Sequence, residues 1–386
     1  MAQSSNRITV AGAILYCTGG VVFFITPAFL GAVDRLFKVS PADLGMLSAC
    51  ELRAIACASL LGPLWVNRCD WRVLIRVSAL ISCAGQIASL IVKSFTLLVV
   101  VRTLTGALGE GLLLALSYSL LGQTRNVERS FSLAYAASIL ISMAALYISP
   151  ELDRALDTIS VLVVIAVLSA AAFFASYLVP SSAITAAAKD QPSRLQPKAW
   201  RKVGALALLA QAIWYAGAGG FWVFTEQLAA HNAVPETVIA KAISIGTGAA
   251  LIGTLVTLGL GSRFGRIWPT VICIGIMAAS VFGFMESHQL SGITLELSIF
   301  NVCWACGTIY LTAAACAVDE AGTVAVLVPA FQVIGMACGT FVLGHCIDRF
   351  GPAIIPLVIS GLLAAAVLAI VAFAGAAQRR STASAV

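Results

Sequence analysis

The sequence predicts an all-α membrane protein with twelve transmembrane helices in two six-helix repeat bundles. Three observations carry that expectation. Apolar residues make up 60% of the 386-residue chain and charged residues only 10%, against roughly 25% charged in a soluble domain. Breaks at charges, prolines and polar clusters divide the chain into twelve apolar runs, each close to the ~20 residues that a span needs. Two short pairs also recur at one offset. Asn67-Arg68 returns as Ser262-Arg263 and Asp153-Arg154 as Asp348-Arg349, both 195 positions on, about half of the chain. Two similar bundles around a central site are able to rock against each other and open it to either side.

In order, the spans are read at roughly 8–32, 44–66, 73–92, 95–121, 130–149, 159–179, 203–228, 239–261, 268–286, 292–318, 321–346 and 353–376. Most connections are short. The long one is basic and proline-bearing, with Lys189, Pro192, Arg194, Pro197, Lys198 and Arg201. The expected organisation is therefore a first bundle over 1–181, a cytoplasmic linker over 182–202 and a second bundle over 203–386. Met1 to Arg7 is polar, and the first apolar run has no small-residue cleavage site, so it reads as a span and not as a signal peptide.

The basic residues orient the chain. With the N-terminus in the cytoplasm, fifteen Lys and Arg fall inside and six outside, leaving Arg53 and Arg102 within the membrane. The positive-inside rule selects both termini in the cytoplasm of a multi-pass inner-membrane protein. The acidic pair Asp319-Glu320 dissents, but acidic residues count little in that rule.

Other chemistries find little footing. The net charge of +6 is spread through loops, without the basic stripe that nucleic-acid binding wants. Most of the eleven cysteines fall in apolar runs, where cysteine acts as a small hydrophobe. Cys303 and Cys306 have CxxC spacing but lack a second pair or nearby histidines. His231, His288 and His345 are scattered, so no metal site is expected. A G-x-x-x-x-G-K loop is absent, which argues against ATP-driven pumping. No enzymatic activity and no cofactor are expected.

Ionisable groups inside a bilayer are functional candidates by default. Arg102 lies seven residues into its span and Glu51 seven into its own, both about 10 Å deep at 1.5 Å per residue. The two are placed to pair. Glu110 follows Arg102 after about 12 Å, and Arg102, Gly106 and Glu110 drift over a strip about 80° wide. Arg53 sits about 200° around the helix from Glu51, on another face. Arg102 reads either as a structural partner of Glu51 or as an anion anchor or proton relay. Glu110 reads as a titrating acid, since burial favours the protonated carboxyl. Arg53 reads as a snorkelling or cavity-lining charge, and Glu226, Glu296 and Lys241 as solvated.

Twelve spans as six plus six, a basic central linker and the repeated pairs resemble the major facilitator superfamily over essentially the whole chain. The segment Arg102-Thr-Leu-Thr-Gly106-Ala-Leu-Gly109 looks like its R-x-x-x-G-x-x-G signature. The loop Gly62-Pro-Leu-Trp-Val-Asn67-Arg68-Cys-Asp70-Trp-Arg72 is similar to its G-x-x-x-D-R-x-G-R-R pattern, with Asn67 in place of the acid and Asp70 in place of the second glycine. The second copy keeps Arg263, Gly265 and Arg266 but has Ser262 at the acid's position. In the family that acid helps latch the cytoplasmic side. The resemblance implies a cytoplasmic gate with Arg68, Arg72, Arg263 and Arg266, and a coupling role for Arg102.

The resemblance further implies a cavity lined by spans one, four, seven and ten. Here these supply Tyr16, Phe23 and Phe24, then Ser117 and Tyr118, then Gln211, Trp214, Tyr215 and Trp222, and last Asn301, Trp304 and Tyr310. Aromatics with a few amides and hydroxyls suit a partly apolar organic solute. The function expected is a monomeric, proton-coupled secondary transporter of a small organic solute, anionic or aromatic in character, working by alternating access in a lipid bilayer. A proton-driven exporter of drugs or metabolites is the alternative. Span five weighs against it, because Ser138 to Pro150 lacks the glycines of the antiporter signature G-x-x-x-G-P. A transporter-like sensor is more distant, since the tails offer only a few polar residues.

Overall fold

A computed structural model of the chain describes residues 2–61, 69–121, 124, 127–156, 159–179, 198–231, 234–261, 263–317 and 323–383. Among these residues the structure is helical, with no strand. The chain divides into two compact units, Met1–Gln191 and Pro192–Val386. In the first unit, α1 is Ala2–Phe37, α2 Pro41–Leu60, α3 Trp71–Ile91, α4 Phe95–Thr105, α5 Gly111–Leu121, α6 Val127–Leu156 and α7 Ser160–Ala175. A π-turn, Gly106–Glu110, joins α4 to α5 in one continuous span. In the second unit, α8 is Lys198–Val223, α9 Thr225–His231, α10 Glu236–Leu260, α11 Ile267–Glu286, α12 Leu290–Ala317, α13 Thr323–Phe350 and α14 Ile355–Ala383.

Among the described residues, eleven helical stretches are long and apolar enough to cross a bilayer. At 20 residues α2 matches them in length, and its Asp43, Glu51 and Arg53 set it apart in composition. The repeat is visible in where helices begin. Pro41, Trp71, Phe95, Val127 and Ser160 open helices in the first unit, and Glu236, Ile267, Leu290, Thr323 and Ile355 open their counterparts 195 or 196 residues later.

Local chemistry sets several of these starts. Ser40 and Asp43 form a capping box, with Asp43 N–H donating to Ser40 Oγ at 3.2 Å and Ser40 N–H to Asp43 Oδ2 at 3.3 Å. Pro41 occupies the first helical position, where its missing N–H costs nothing. Asp70 caps α3 by accepting from Arg72 N–H at 2.8 Å. Its place in the loop thus has a local structural use.

Some boundaries differ from those read in the sequence. Asp153-Arg154 and Asp348-Arg349 lie in the last turns of α6 and α13, not in loops. Arg154 Nε donates to Pro150 O there, which supports the polar extension of α6 past its proline. The last five residues expected in the linker, from Lys198 onward, are helical. Span seven is interrupted at Phe224, so α9 is separate from α8. Residues 180–197, Asn67, Arg68, Ser262, Asp319 and Glu320 lie outside the described residues.

Each unit packs around its own core. In the first, Ala11 and Leu15 of α1 meet Trp71 and Ile75 of α3, Leu113 and Leu116 of α5, and Ala172 of α7. In the second, Val203 and Ala207 of α8 meet Ala315 of α12, Val328 of α13 and Phe373 of α14. Lipid offers no hydrophobic force to join helices, so close backbone packing has to do so. On α13, Gly335 and Gly339 provide it, seated against the Ala212 and Ala216 carbonyls of α8, and a Cβ at either position would overlap those backbones.

Gly339→Val is therefore expected to lower the apparent melting temperature of the purified protein, at a cost of roughly 1–3 kcal/mol for an overpacked site. Gly361→Val should leave it unchanged, because nothing lies within 4 Å of a Cβ there. Equal melting of both variants would show that the α8–α13 contact does not limit stability.

Candidate functional site

The buried charges of the first unit converge. Arg102 and Glu110 are fully buried, and Glu51 is 3% exposed. The Arg102 guanidinium donates through Nε to Glu51 Oε2 at 3.2 Å, through Nη1 to Gln86 Oε1 at 2.6 Å, and through Nη2 to both Glu51 Oε1 and Glu110 Oε1, the latter at 3.3 Å. Gln86 Nε2 donates to Glu110 Oε1 at 2.7 Å, closing the ring. The Phe29 ring covers the guanidinium, with its centroid 5.1 Å from Cζ. One positive charge thus faces two carboxyl groups. Glu110 Oε2 is buried and has no hydrogen-bond partner among the described residues.

The π-turn sets this geometry. In a regular helix Glu110 would stand about 80° around from Arg102. The wide turn takes up one extra residue, which returns about 100° and leaves the two nearly in line. Its five-residue hydrogen bond runs from Gly111 N–H to Gly106 O. Gly106 lies against the backbone of Glu51 in α2, and Gly109 against Ser82 of α3, each so close that a Cβ would come to 2.9 Å of backbone. The glycines of the signature segment let α2 and α3 reach the turn and place Glu51 and Gln86 around Arg102.

The second unit builds the same helix contact without charge. At the 195-residue offset, Glu51, Gln86, Arg102 and Glu110 correspond to Gly246, Val281, Leu297 and Ala305. A Cβ on Gly246 would lie 2.9 Å from Leu297 Cβ, so α10 meets α12 where α2 meets α4. Val281 and Leu297 are fully buried. An apolar contact therefore suffices for this packing, and the ionic version is the more expensive way to make it.

Uncharged groups make up a second set of clusters. In the first unit the ring of Tyr16 of α1 meets that of Tyr118 of α5 at a tilt, with centroids 5.8 Å apart, Tyr118 meets Phe131 in the same way at 5.1 Å, and Phe24 meets Tyr135 edge-on at 5.9 Å. Ser117 is buried and donates to Leu114 O in its own helix. In the second unit Trp304, Thr308 and Thr312 form a stripe on α12 facing α8. Tyr215 lies 5.7 Å and Trp222 6.2 Å from the Trp304 ring, and Thr308 Oγ1 is 3.3 Å from Tyr215 Oη. Gln211 Nε2 donates to Thr312 Oγ1 at 3.1 Å, while Gln332 Nε2 of α13 donates to Gln211 Oε1 at 3.1 Å and to Thr312 Oγ1 at 3.4 Å.

Other candidates lie elsewhere. Arg53 is exposed on α2 while Glu51 is buried, so the two occupy different faces. Phe23 is half-buried on α1. Trp214 is fully buried beneath Gly307. Tyr310 is on the far side of α12, about 160° from Thr308, on the face where Cys306 donates to Gly253 O of α10. Asn301 is buried and donates to Leu297 O. Glu226, read as solvated, is only 7% exposed. Of the arginines expected at a cytoplasmic gate, Arg72 donates to Val179 O, four residues past the end of α7, at 2.6 Å, Arg263 is exposed and Arg266 half-buried, and Arg68 is outside the described residues. Gln86, Tyr135, Thr312 and Gln332 escaped the sequence reading. A glutamine inside an apolar span was the available signal for Gln86 and Gln332.

Eleven candidate spans and a buried ionic cluster among the described residues define a multi-pass helical membrane protein. The sequence model of the Major Facilitator Superfamily matches residues 9–328, and the chain belongs to that superfamily. No curated protein matches it. Among solved structures it is similar to a mutant of the nucleoside transporter NupG, with a TM-score of 0.75 at 14% identity over 96% of this chain and 99% of that one. It is similar to a D-xylose-proton symporter, with a TM-score of 0.75 at 14% identity over 94% and 96% of the two chains. The xylose transporter XylE from E. coli, partially occluded and inward open, gives 0.75 at 14% identity over 94% and 98%. At these identities the likeness is one of fold.

Arg102→Leu alone is expected to destabilise the protein by about 3–5 kcal/mol, because it strands buried carboxyls. Adding Glu51→Gly, Gln86→Val and Glu110→Ala, which copies the second unit, should restore most of that loss in thermal unfolding. A fourfold variant no more stable than Arg102→Leu would show that the first unit needs its charges to fold.

Proposed function

We propose that the protein is a proton-coupled secondary transporter, moving a small organic solute across the inner membrane by alternating access with both termini in the cytoplasm. The observation that carries this reading is the ionic ring of Glu51, Gln86, Arg102 and Glu110, present in one unit and replaced by apolar residues in the other. A buried charge kept where an apolar contact would pack as well is retained for what it does.

The chemistry follows from the ring's charge. Arg102 holds Glu51 through two nitrogens and has only one remaining contact for Glu110. With both carboxyls ionised, the ring carries a net negative charge in a site without water's dielectric, which is costly. A proton on the open Oε2 of Glu110 makes the ring neutral and weakens its attraction for Arg102. Gln86 donates to one neighbour and accepts from the other, so it keeps the two in register in either state. The charge on the π-turn thus biases the span between arrangements, and a proton gradient acts through that bias. The basic residues favour the stated orientation. A fold neighbour described as a D-xylose-proton symporter adds support for proton coupling and for a small organic solute.

Infrared difference spectra between acid and alkaline buffers should contain the C=O stretch of a buried protonated carboxyl, and Glu110→Gln should remove it. The same variant, fixed in the neutral form, should lose pH-gradient-driven accumulation in proteoliposomes. A wild-type carboxyl band in Glu110→Gln would take Glu110 out of the mechanism.

A further inference from the structure

We infer, on the footing of the transport reading above, that the solute is uncharged and hydroxyl-bearing, and that the second unit recognises it along the face where α8, α12 and α13 meet. The first ground is charge. Residues 203–223 of α8, 297–317 of α12 and 323–344 of α13 contain no Asp, Glu, Lys, Arg or His. The nearest acid on α12, Glu296, points at Gly283 of α11 instead. A charged solute on this face would be stripped of water with no counter-charge to meet it. Arg102 offers none either, since Glu51, Gln86 and Glu110 occupy its nitrogens.

The second ground is unspent hydrogen bonding. Gln211 is fully buried, while Thr312 and Gln332 are half-buried. Within the knot, Thr312 Oγ1 accepts twice, and among the described residues its own hydrogen has no acceptor. Gln332 Oε1 has no donor among the described residues, because its amide nitrogen alone is engaged. One open donor beside one open acceptor is the complement of a hydroxyl group, which both donates and accepts. A carboxylate or phosphate would only accept, leaving Gln332 Oε1 facing a like dipole.

The third ground is shape. One and two turns along α12 from Thr312, about 6 and 12 Å away, stand Thr308 and Trp304, with Tyr215 and Trp222 against Trp304. Amide and hydroxyl groups at one end and aromatic rings at the other suit a compact ring with polar edges and an apolar face. Sugars, cyclic polyols and nucleosides share that chemistry.

The test measures binding to the full-length protein in lipid nanodiscs, using D-ribose, myo-inositol and uridine as neutral probes, with ribose phosphate and uridine monophosphate as charged counterparts. At least one neutral probe should bind, and a charged counterpart at least ~100-fold more weakly. Gln332→Leu and Thr312→Val, checked for wild-type elution and melting, should each weaken the neutral probe by about 10- to 100-fold. Tyr310→Phe, on the opposite face of α12, should not. The inference is overturned if no neutral probe binds, if the charged probes bind as well, or if both substitutions leave affinity unchanged. The panel reads the solute, whereas the infrared band of Glu110 reads the proton, so either reading can fail alone.

Discussion

The first unit is organised around the burial of one guanidinium in a bilayer-spanning bundle. Arg102 cannot be neutralised by losing its proton, so its nitrogens have to find polar or anionic partners, while the Phe29 ring covers its face. That requirement draws Glu51 from α2 and Gln86 from α3 to the same depth. It also accounts for the π-turn, since without the extra residue Glu110 would rotate away from the arginine. The glycines at 106 and 109 follow in turn, because α2 and α3 reach the turn only where side chains are missing.

The two units make the same helix contacts with different contents. Where the first places Glu51 against Arg102, the second places Gly246 against Leu297. Where the first has Tyr16 and Ser117, the second has Gln211 and Thr312 at the same offset, tied to Gln332. A duplicated scaffold is free to diverge in this way, because backbone packing through small residues supports both versions. The proposed separation of proton chemistry from solute recognition rests on that divergence.

Which residues were legible in the sequence depended on how local their signal was. Arg102, Glu51 and Glu110 stand out because a charge in an apolar run needs no partner to be noticed. Gln86 and Gln332 carry no charge, and their roles depend on neighbours 16 and 121 positions away in the chain. Tyr310 and Trp304 share a helix and an aromatic character, yet they stand about 120° apart around it, because α12 packs on α8 with one side and on α10 with another. An aromatic residue in a span is equally at home on either side.

By itself, the sequence determined the membrane-spanning, all-helical class and the 195-residue recurrence of its charged pairs. These follow from hydropathy, length and the spacing of short motifs, all properties of the linear chain. Only the tertiary structure decided that a π-turn aligns Glu110 with Arg102, that Gln86 bridges them, and that Gln211, Thr312 and Gln332 form one neutral knot. Each of these depends on helix rotation about its axis. Rotation is settled by side-chain and backbone contacts between helices, and one inserted residue in a turn resets it by about 100°.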